Sequence, residues 1–185
     1  MLPALSSFIE IDTQGMASPC LIINSPNTDE RPAGTSIDMI VIHNISLPPN
    51  EFGGPGIIQL FTNQLDANEH PYYAEIAHLR VSSHFLIRRE GELIQFASCA
   101  QRAWHAGVSS WEDRERCNDF SIGIELEGSD ECAFEDAQYL TLQALIDALK
   151  KRYPIQHIVG HSEIAPGRKT DPGPFFNWQR ITPSS

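Results

Sequence analysis

Between Gly160 and Pro174 the chain reads Gly-His-Ser-Glu-Ile-Ala-Pro-Gly-Arg-Lys-Thr-Asp-Pro-Gly-Pro, so His161, Lys169 and Asp171 share one short stretch bounded by proline and glycine. An imidazole and a carboxylate are ligands for a divalent metal, and a lysine beside them is a cation for an anionic oxygen. Asp171 precedes Pro172, whose ring drives the preceding backbone to extended geometry and limits where the carboxylate points. The other reading of such a loop is a solvated turn, which has no need of that restriction.

A third ligand comes from His43, which closes the apolar, β-branched run Ile37-Asp38-Met39-Ile40-Val41-Ile42. His43 and His161 each end a short apolar strand, where rigid scaffolds present functional groups. Two histidines and one aspartate leave a fourth position open, the pattern of catalytic zinc rather than of a closed structural site. Any long chain offers some such triple, so spacing alone leaves zinc and chance side by side. Hydrolysis with zinc needs a carboxylate to take a proton, and Glu125 on the strand 121–127 is the candidate. Its alternative is a solvated strand glutamate, which is the expectation for Glu127. Lys169 is either an oxyanion partner across the metal or a solvated loop side chain. Of the remaining histidines, His70, His78 and His157 are expected at the surface, and His84 and His105 either pack or line a cleft.

The elements that must position these groups are legible in outline. A strand is expected over 37–43, a helix over 57–65, and two strands over 83–89 and 92–97 joined by the Glu90-Gly91 turn. Along 121–127, Ile122, Ile124 and Leu126 take one face while Gly123, Glu125 and Glu127 take the other. Tyr139, Leu142, Ile146, Leu149 and Tyr153 recur at helical spacing across 134–153, with acids in the first turn, bases in the last and Pro154 as the stop. A strand over 155–160 then delivers His161. Irregular mixing of strands and helices predicts an α/β (mixed α+β) domain, a central mixed sheet flanked by helices. Residues 1–36 are expected to be an irregular segment packed on a domain of residues 37–185.

Composition narrows the setting. The 185 residues are 41% hydrophobic and 20% charged, as in ordinary globular domains. With 13 Lys and Arg against 24 Asp and Glu, the net charge of −11 repels nucleic-acid backbones. No apolar run is long enough to cross a membrane. The start Met1-Leu2-Pro3-Ala4-Leu5 lacks the basic and apolar regions of an export leader, so the expected location is the cytoplasm. Cys20, Cys99, Cys117 and Cys132 are scattered and are expected as reduced thiols. The default assembly is a monomer.

Five blocks carry a resemblance: Val41-Ile42-His43-Asn44-Ile45-Ser46-Leu47-Pro48-Pro49, Ala77-His78-Leu79-Arg80-Val81-Ser82, Arg102-Ala103-Trp104-His105-Ala106-Gly107, Arg116 to Gly128, and Arg168 to Pro174. In these the chain resembles the AmpD-type N-acetylmuramoyl-L-alanine amidases of the wider amidase and peptidoglycan-recognition superfamily. The resemblance implies that His43, His161 and Asp171 hold one zinc ion, that Glu125 is the catalytic carboxylate, and that Lys169 is the transition-state cation. It implies hydrolysis of the amide between (1,6-anhydro-)N-acetylmuramic acid and the L-alanine of a stem peptide, in cytosolic cell-wall recycling, with influence on β-lactamase induction. The partner it implies is a small-molecule muropeptide. Arg80 and Arg116 would fork its carboxylates, and Asn44 would hydrogen-bond it. Trp104 is either an apolar wall or core, and Arg88-Arg89 is expected as surface charge. A muropeptide sensor without turnover and an exported amidase on intact peptidoglycan are the competing functions.

Overall fold

The computed structural model describes residues 8–181; residues 1–7, which open the stretch read for a leader, and residues 182–185 lie outside it. Its N-terminal part holds the short strands β1 (Glu10–Ile11), β2 (Ala17–Ser18), β3 (Leu21–Ile22) and β4 (Thr28–Glu30). Then come β5 (Met39–Ile45), helices α1 (Gly56–Phe61) and α2 (Pro71–Ile76), and strands β6 (Phe85–Ile87), β7 (Leu93–Gln95) and β8 (Gln101–Ala103). The C-terminal part comprises β9 (Ser110–Trp111), β10 (Arg114–Glu115), β11 (Ser121–Glu127), α3 (Asp136–Arg152), β12 (His157–Gly160) and α4 (His161–Ile164).

Six of these strands form the central mixed sheet, in the order β12-β5-β11-β6-β7-β3. β12, β5, β11 and β6 are parallel, β7 returns antiparallel to β6, and β3 runs parallel to β7 at the edge. Parallel strands are covered on both faces, and all seven residues of β11 are buried. On one face Ile40, Ile42, Ile122 and Ile124 pack against Leu142, Leu145 and Leu149 of α3. On the other, Met39, Val41 and Val159 meet Ala106, Phe120 and Ile164. A third cluster joins Leu86, Ile94 and Phe96 to Leu60, Phe61 and Tyr73 of α1 and α2.

Local chemistry sets the element ends. Glu135 and Gln138 cap α3 reciprocally, with Lys150, Lys151 and Arg152 in its last turn. The expected helix over 57–65 stops at Phe61, since Asn63 takes a left-handed φ of 60°. α2 had no periodic signal. It forms because Pro71 sits at its first position and the His70 ring accepts from the Tyr72 N–H at 3.0 Å. β5 runs two residues past His43, to Ile45.

The segment up to residue 36, expected to be irregular, holds four strands, one of them the sheet edge. Arg31 fastens it. Its guanidinium is half-buried and donates to the carbonyls of Cys99, Asn118, Asp119 and Ser121 at 2.8–3.2 Å. Burial, with a smaller contribution from the Arg102 charge, lowers its pKa to about 10.

Two surface expectations are corrected. Glu127 is 1% exposed rather than solvated, and accepts from the Gly53 N–H at 2.7 Å. Arg88 is the partner of Glu127, at 2.9 Å and with its side chain 13% exposed. Alternation put Glu127 on the polar face, but the sheet is covered there too, so the carboxylate needs a buried cation. Arg88→Ala leaves that charge without its ion pair, and the expected loss is about 3 kcal/mol of unfolding free energy. Urea denaturation measures it.

Candidate metal centre

The site follows from strand register. β11 pairs with β5 so that Glu125 lies opposite His43, and β12 pairs with β5 so that Gly160 lies opposite Ile42. His161 is the next residue and opens α4, where the Gly160 N–H donates to Glu163 Oε2 at 2.6 Å. His43, Glu125 and His161 thus collect at the carboxyl ends of parallel strands, where open α/β sheets bind ligands. Asp171 returns to the same point, and its carbonyl accepts from the Ser162 N–H at 3.0 Å.

Three acceptor atoms meet there. His43 Nδ1 lies 3.0 Å from His161 Nδ1 and 3.0 Å from Asp171 Oδ2, and His161 Nδ1 lies 3.1 Å from the same Oδ2. The two rings are buried and Asp171 is half-buried. The far nitrogen of His161 faces the Ala106 carbonyl at 3.0 Å. That oxygen only accepts, so His161 Nε2 carries the proton and Nδ1 offers a lone pair. Metal–ligand distances of about 2 Å set tetrahedral ligand atoms roughly 3.3 Å apart, close to the spacing observed. Two imidazoles and one carboxylate also suit zinc in kind. The residues fit the metal.

Electrostatics agree with that fit. Burial holds His43 down at about 4; His161 and Lys169 add to the effect and the Asp171 hydrogen bond opposes it. Burial pushes Asp171 up, but the His161 and His43 rings that face its carboxylate outweigh it and leave it below its ordinary value. Near neutrality the set is therefore an uncharged His43 beside an anionic Asp171. Glu125 behaves oppositely. Burial, then the charge of Asp171, raises its pKa well above the ordinary value against the pull of Lys169. Its Oε1 is 4.0 Å from His43 Nδ1, and its Oε2 is buried without a hydrogen-bond partner.

A cleft of about 500 Å³ opens over these groups, and its lining includes Asn44, Trp104, Lys169 and the apolar Leu60, Ile76 and Leu79. Lys169 is exposed there, and its ammonium makes no hydrogen bond or ion pair among the described residues. The Asn44 amide donates to Asp130 Oδ1 at 2.7 Å and to the Pro172 carbonyl at 3.0 Å. Arg80 and Arg116 are not brought to the cleft lining. Arg80 is exposed beside Leu79, its guanidinium over the carbonyls of Ala77, His78 and Leu79. Arg116 is 79% exposed, 3.5 Å from Asp119.

One residue of the site was not singled out by the sequence, and another was left open. Asp130 ties Asn44 to the Thr170 hydroxyl across the cleft, and it lies past the end of β11, where no periodicity marks it. His105, left open between packing and cleft, does both: it lines the cleft and its Nδ1 lies 2.9 Å from His43 Nε2. Of the other histidines, His78 is exposed, His157 is half-buried against the Trp111 ring, and His84 is core.

His84 Nδ1 accepts from the Gly123 N–H at 3.0 Å, and burial, then the Arg31 charge, lower its pKa to about 3. The unfolded chain, with a histidine near 6.5, takes up this proton first as pH falls. His84 therefore withdraws stability progressively from about pH 6.5 down to about 3, by about 1.4 kcal/mol per pH unit. In His84→Gln the slope of unfolding free energy against pH between 6 and 4 is expected to be smaller by that amount, read from urea curves on the metal-free protein.

Comparisons with known proteins agree with this geometry. A model of the N-acetylmuramoyl-L-alanine amidase family matches residues 33–174. The 1,6-anhydro-N-acetylmuramyl-L-alanine amidase AmpD of Citrobacter freundii is 56% identical over 178 residues, 93% of this chain and 95% of that protein. The crystal structure of a selenomethionine derivative of AmpD superposes with a TM-score of 0.89 at 57% identity, over 91% of this chain and 95% of the other. The amidase AmiD from E. coli, solved in complex with the substrate anhydro-N-acetylmuramic acid-L-Ala-D-γ-Glu-L-Lys, gives a TM-score of 0.57 at 28% identity, over 94% of this chain and 64% of that one. A parallel sheet that gathers two histidines, an aspartate and a buried glutamate, and a match running through all four, lead to one statement: the chain belongs to the N-acetylmuramoyl-L-alanine amidase family, among its AmpD-type members.

Proposed function

We propose that the chain is a zinc-dependent amidase that cleaves the bond between (1,6-anhydro-)N-acetylmuramic acid and the L-alanine of a stem peptide. The observation that carries this reading is the meeting of His43 Nδ1, His161 Nδ1 and Asp171 Oδ2 within 3.0–3.1 Å, beside a buried Glu125 whose Oε2 has no partner. The identity to AmpD and the substrate-bound AmiD relative support the choice of substrate. His43, His161 and Asp171 would hold the zinc, which when bound lowers the pKa of a water toward about 7 and polarises a carbonyl oxygen.

The residues of the chain divide the remaining work. Water adds to the lactyl carbonyl carbon, Glu125 takes its proton, and the C–N bond breaks as Glu125 returns that proton to the amine of L-alanine. A carboxyl group whose pKa burial raises is suited to holding a proton near neutrality. The exposed Lys169 ammonium, lining the cleft, meets the anionic oxygen that develops on the carbonyl. Asn44 has both amide hydrogens engaged by Asp130 and Pro172, so its Oδ1 is the atom left for a substrate N–H. Arg80 and Arg116 stand outside the cleft lining with exposed guanidiniums and would meet the peptide carboxylates at its rim, local positive charge on a protein of net −11.

The proposed setting is cytosolic recycling of muropeptides by a monomer, where loss of activity would let muropeptides accumulate and influence β-lactamase induction. No helix among the described residues is long and apolar enough to cross a membrane. Incubating zinc-loaded protein with an anhydro-muropeptide is expected to release free stem peptide, followed by chromatography. Muropeptide affinity without release would replace the amidase by a sensor. Glu125→Ala is expected to keep zinc and lose activity by about 10²–10⁴-fold. Asp171→Ala is expected to lose the metal as well, which metal analysis of both variants separates.

A further inference from the structure

We infer that His105 is a positioning residue for the metal site, holding the His43 ring in the one orientation and tautomer that turns Nδ1 toward His161 and Asp171. The inference rests on the zinc reading above. Both metal histidines lean on consecutive residues of one segment. His161 Nε2 faces the Ala106 carbonyl at 3.0 Å, and His43 Nε2 faces His105 Nδ1 at 2.9 Å. The first support is backbone and is indifferent to side chain. The second is a side chain whose hydrogen-bonding polarity matters.

The direction of the second contact follows from chemistry. A metal on His43 Nδ1 moves the ring proton to Nε2, so His105 Nδ1 must accept it. His105 Nε2 then carries its own proton, 3.1 Å from the Ser121 hydroxyl oxygen. Burial leaves the His105 ring 9% exposed, so solvent is a poor substitute for this acceptor. The segment is itself pinned: Asn118 Oδ1 accepts from the N–H groups of His105 and Ala106 at 3.1 and 2.8 Å, and Arg168 donates to the Ala106 carbonyl at 2.7 Å. Space for the ring comes from Gly123, where a Cβ would lie 2.5 Å from the imidazole. A residue that only filled volume would need the space but not the chain of donors and acceptors.

Two variants separate these roles. His105→Leu fills the site without an acceptor, whereas His105→Asn can place its Oδ1 near the position of Nδ1. Zinc affinity, measured by competition with a chromophoric chelator, is expected to fall about 10- to 100-fold in His105→Leu and to be restored to within a few-fold in His105→Asn. Equal affinities in wild type and His105→Leu would overturn the inference, as would equal losses in both variants. Nitrogen-15 NMR of the zinc-loaded wild type tests the same point without relying on a variant that folds. The expected result is protonation at Nε2 in both His43 and His105, and a His105 protonated at Nδ1 overturns the assignment. A wild type that takes up no zinc overturns the metal reading instead, so the two failures are distinct.

Discussion

Parallel pairing of β12, β5 and β11 is the constraint from which the site descends. Parallel strands in register bring their carboxyl ends to a common level, so groups more than a hundred residues apart in sequence meet without any loop having to reach. The pairing holds because both faces of these strands are apolar and covered, by α3 on one side and by the 104–120 segment and α4 on the other. A slip of one residue in β11 would turn Glu125 into the α3 core and bring Ile124 to the metal side. The hydrophobic pattern that fixes register is thus also what fixes the chemistry.

The same burial that makes the sheet firm sets the character of the ionisable groups. An imidazole without water gives up its proton more readily, and a carboxyl without water holds a proton more tightly unless a neighbour compensates. His43 and Glu125 follow this rule, while Asp171 escapes it through the two rings that face it. One low-dielectric pocket therefore holds two imidazole nitrogens, an anionic oxygen donor and a proton carrier, kept apart by a few ångströms and by what each touches.

Much of this was legible in the residues themselves. The alternation of 121–127 gives β11 and its faces, the periodicity of 134–153 gives α3, and the apolar runs before His43 and His161 give two of the three central strands. What stayed hidden depends on partners distant in sequence. Glu127 looked solvated because alternation shows which face a residue takes and not whether that face is covered; its cation is 39 positions away at Arg88. His105 sits in a segment without period, and its meaning comes from contacts with His43 and Ser121. α2 is announced only by one proline and a ring nitrogen acting as a cap.

The match to the amidase family model begins at residue 33, two positions after the guanidinium that serves four carbonyls of the domain. Those oxygens belong to Cys99, to the turn at Asn118 and Asp119, and to Ser121, the residue that supports the His105 ring. Buried carbonyls deprived of their donor have no water to turn to. The start of the family match and the edge of the cooperative folding unit are therefore different places in this chain, and a fragment cut at the first would lack part of what holds the second together.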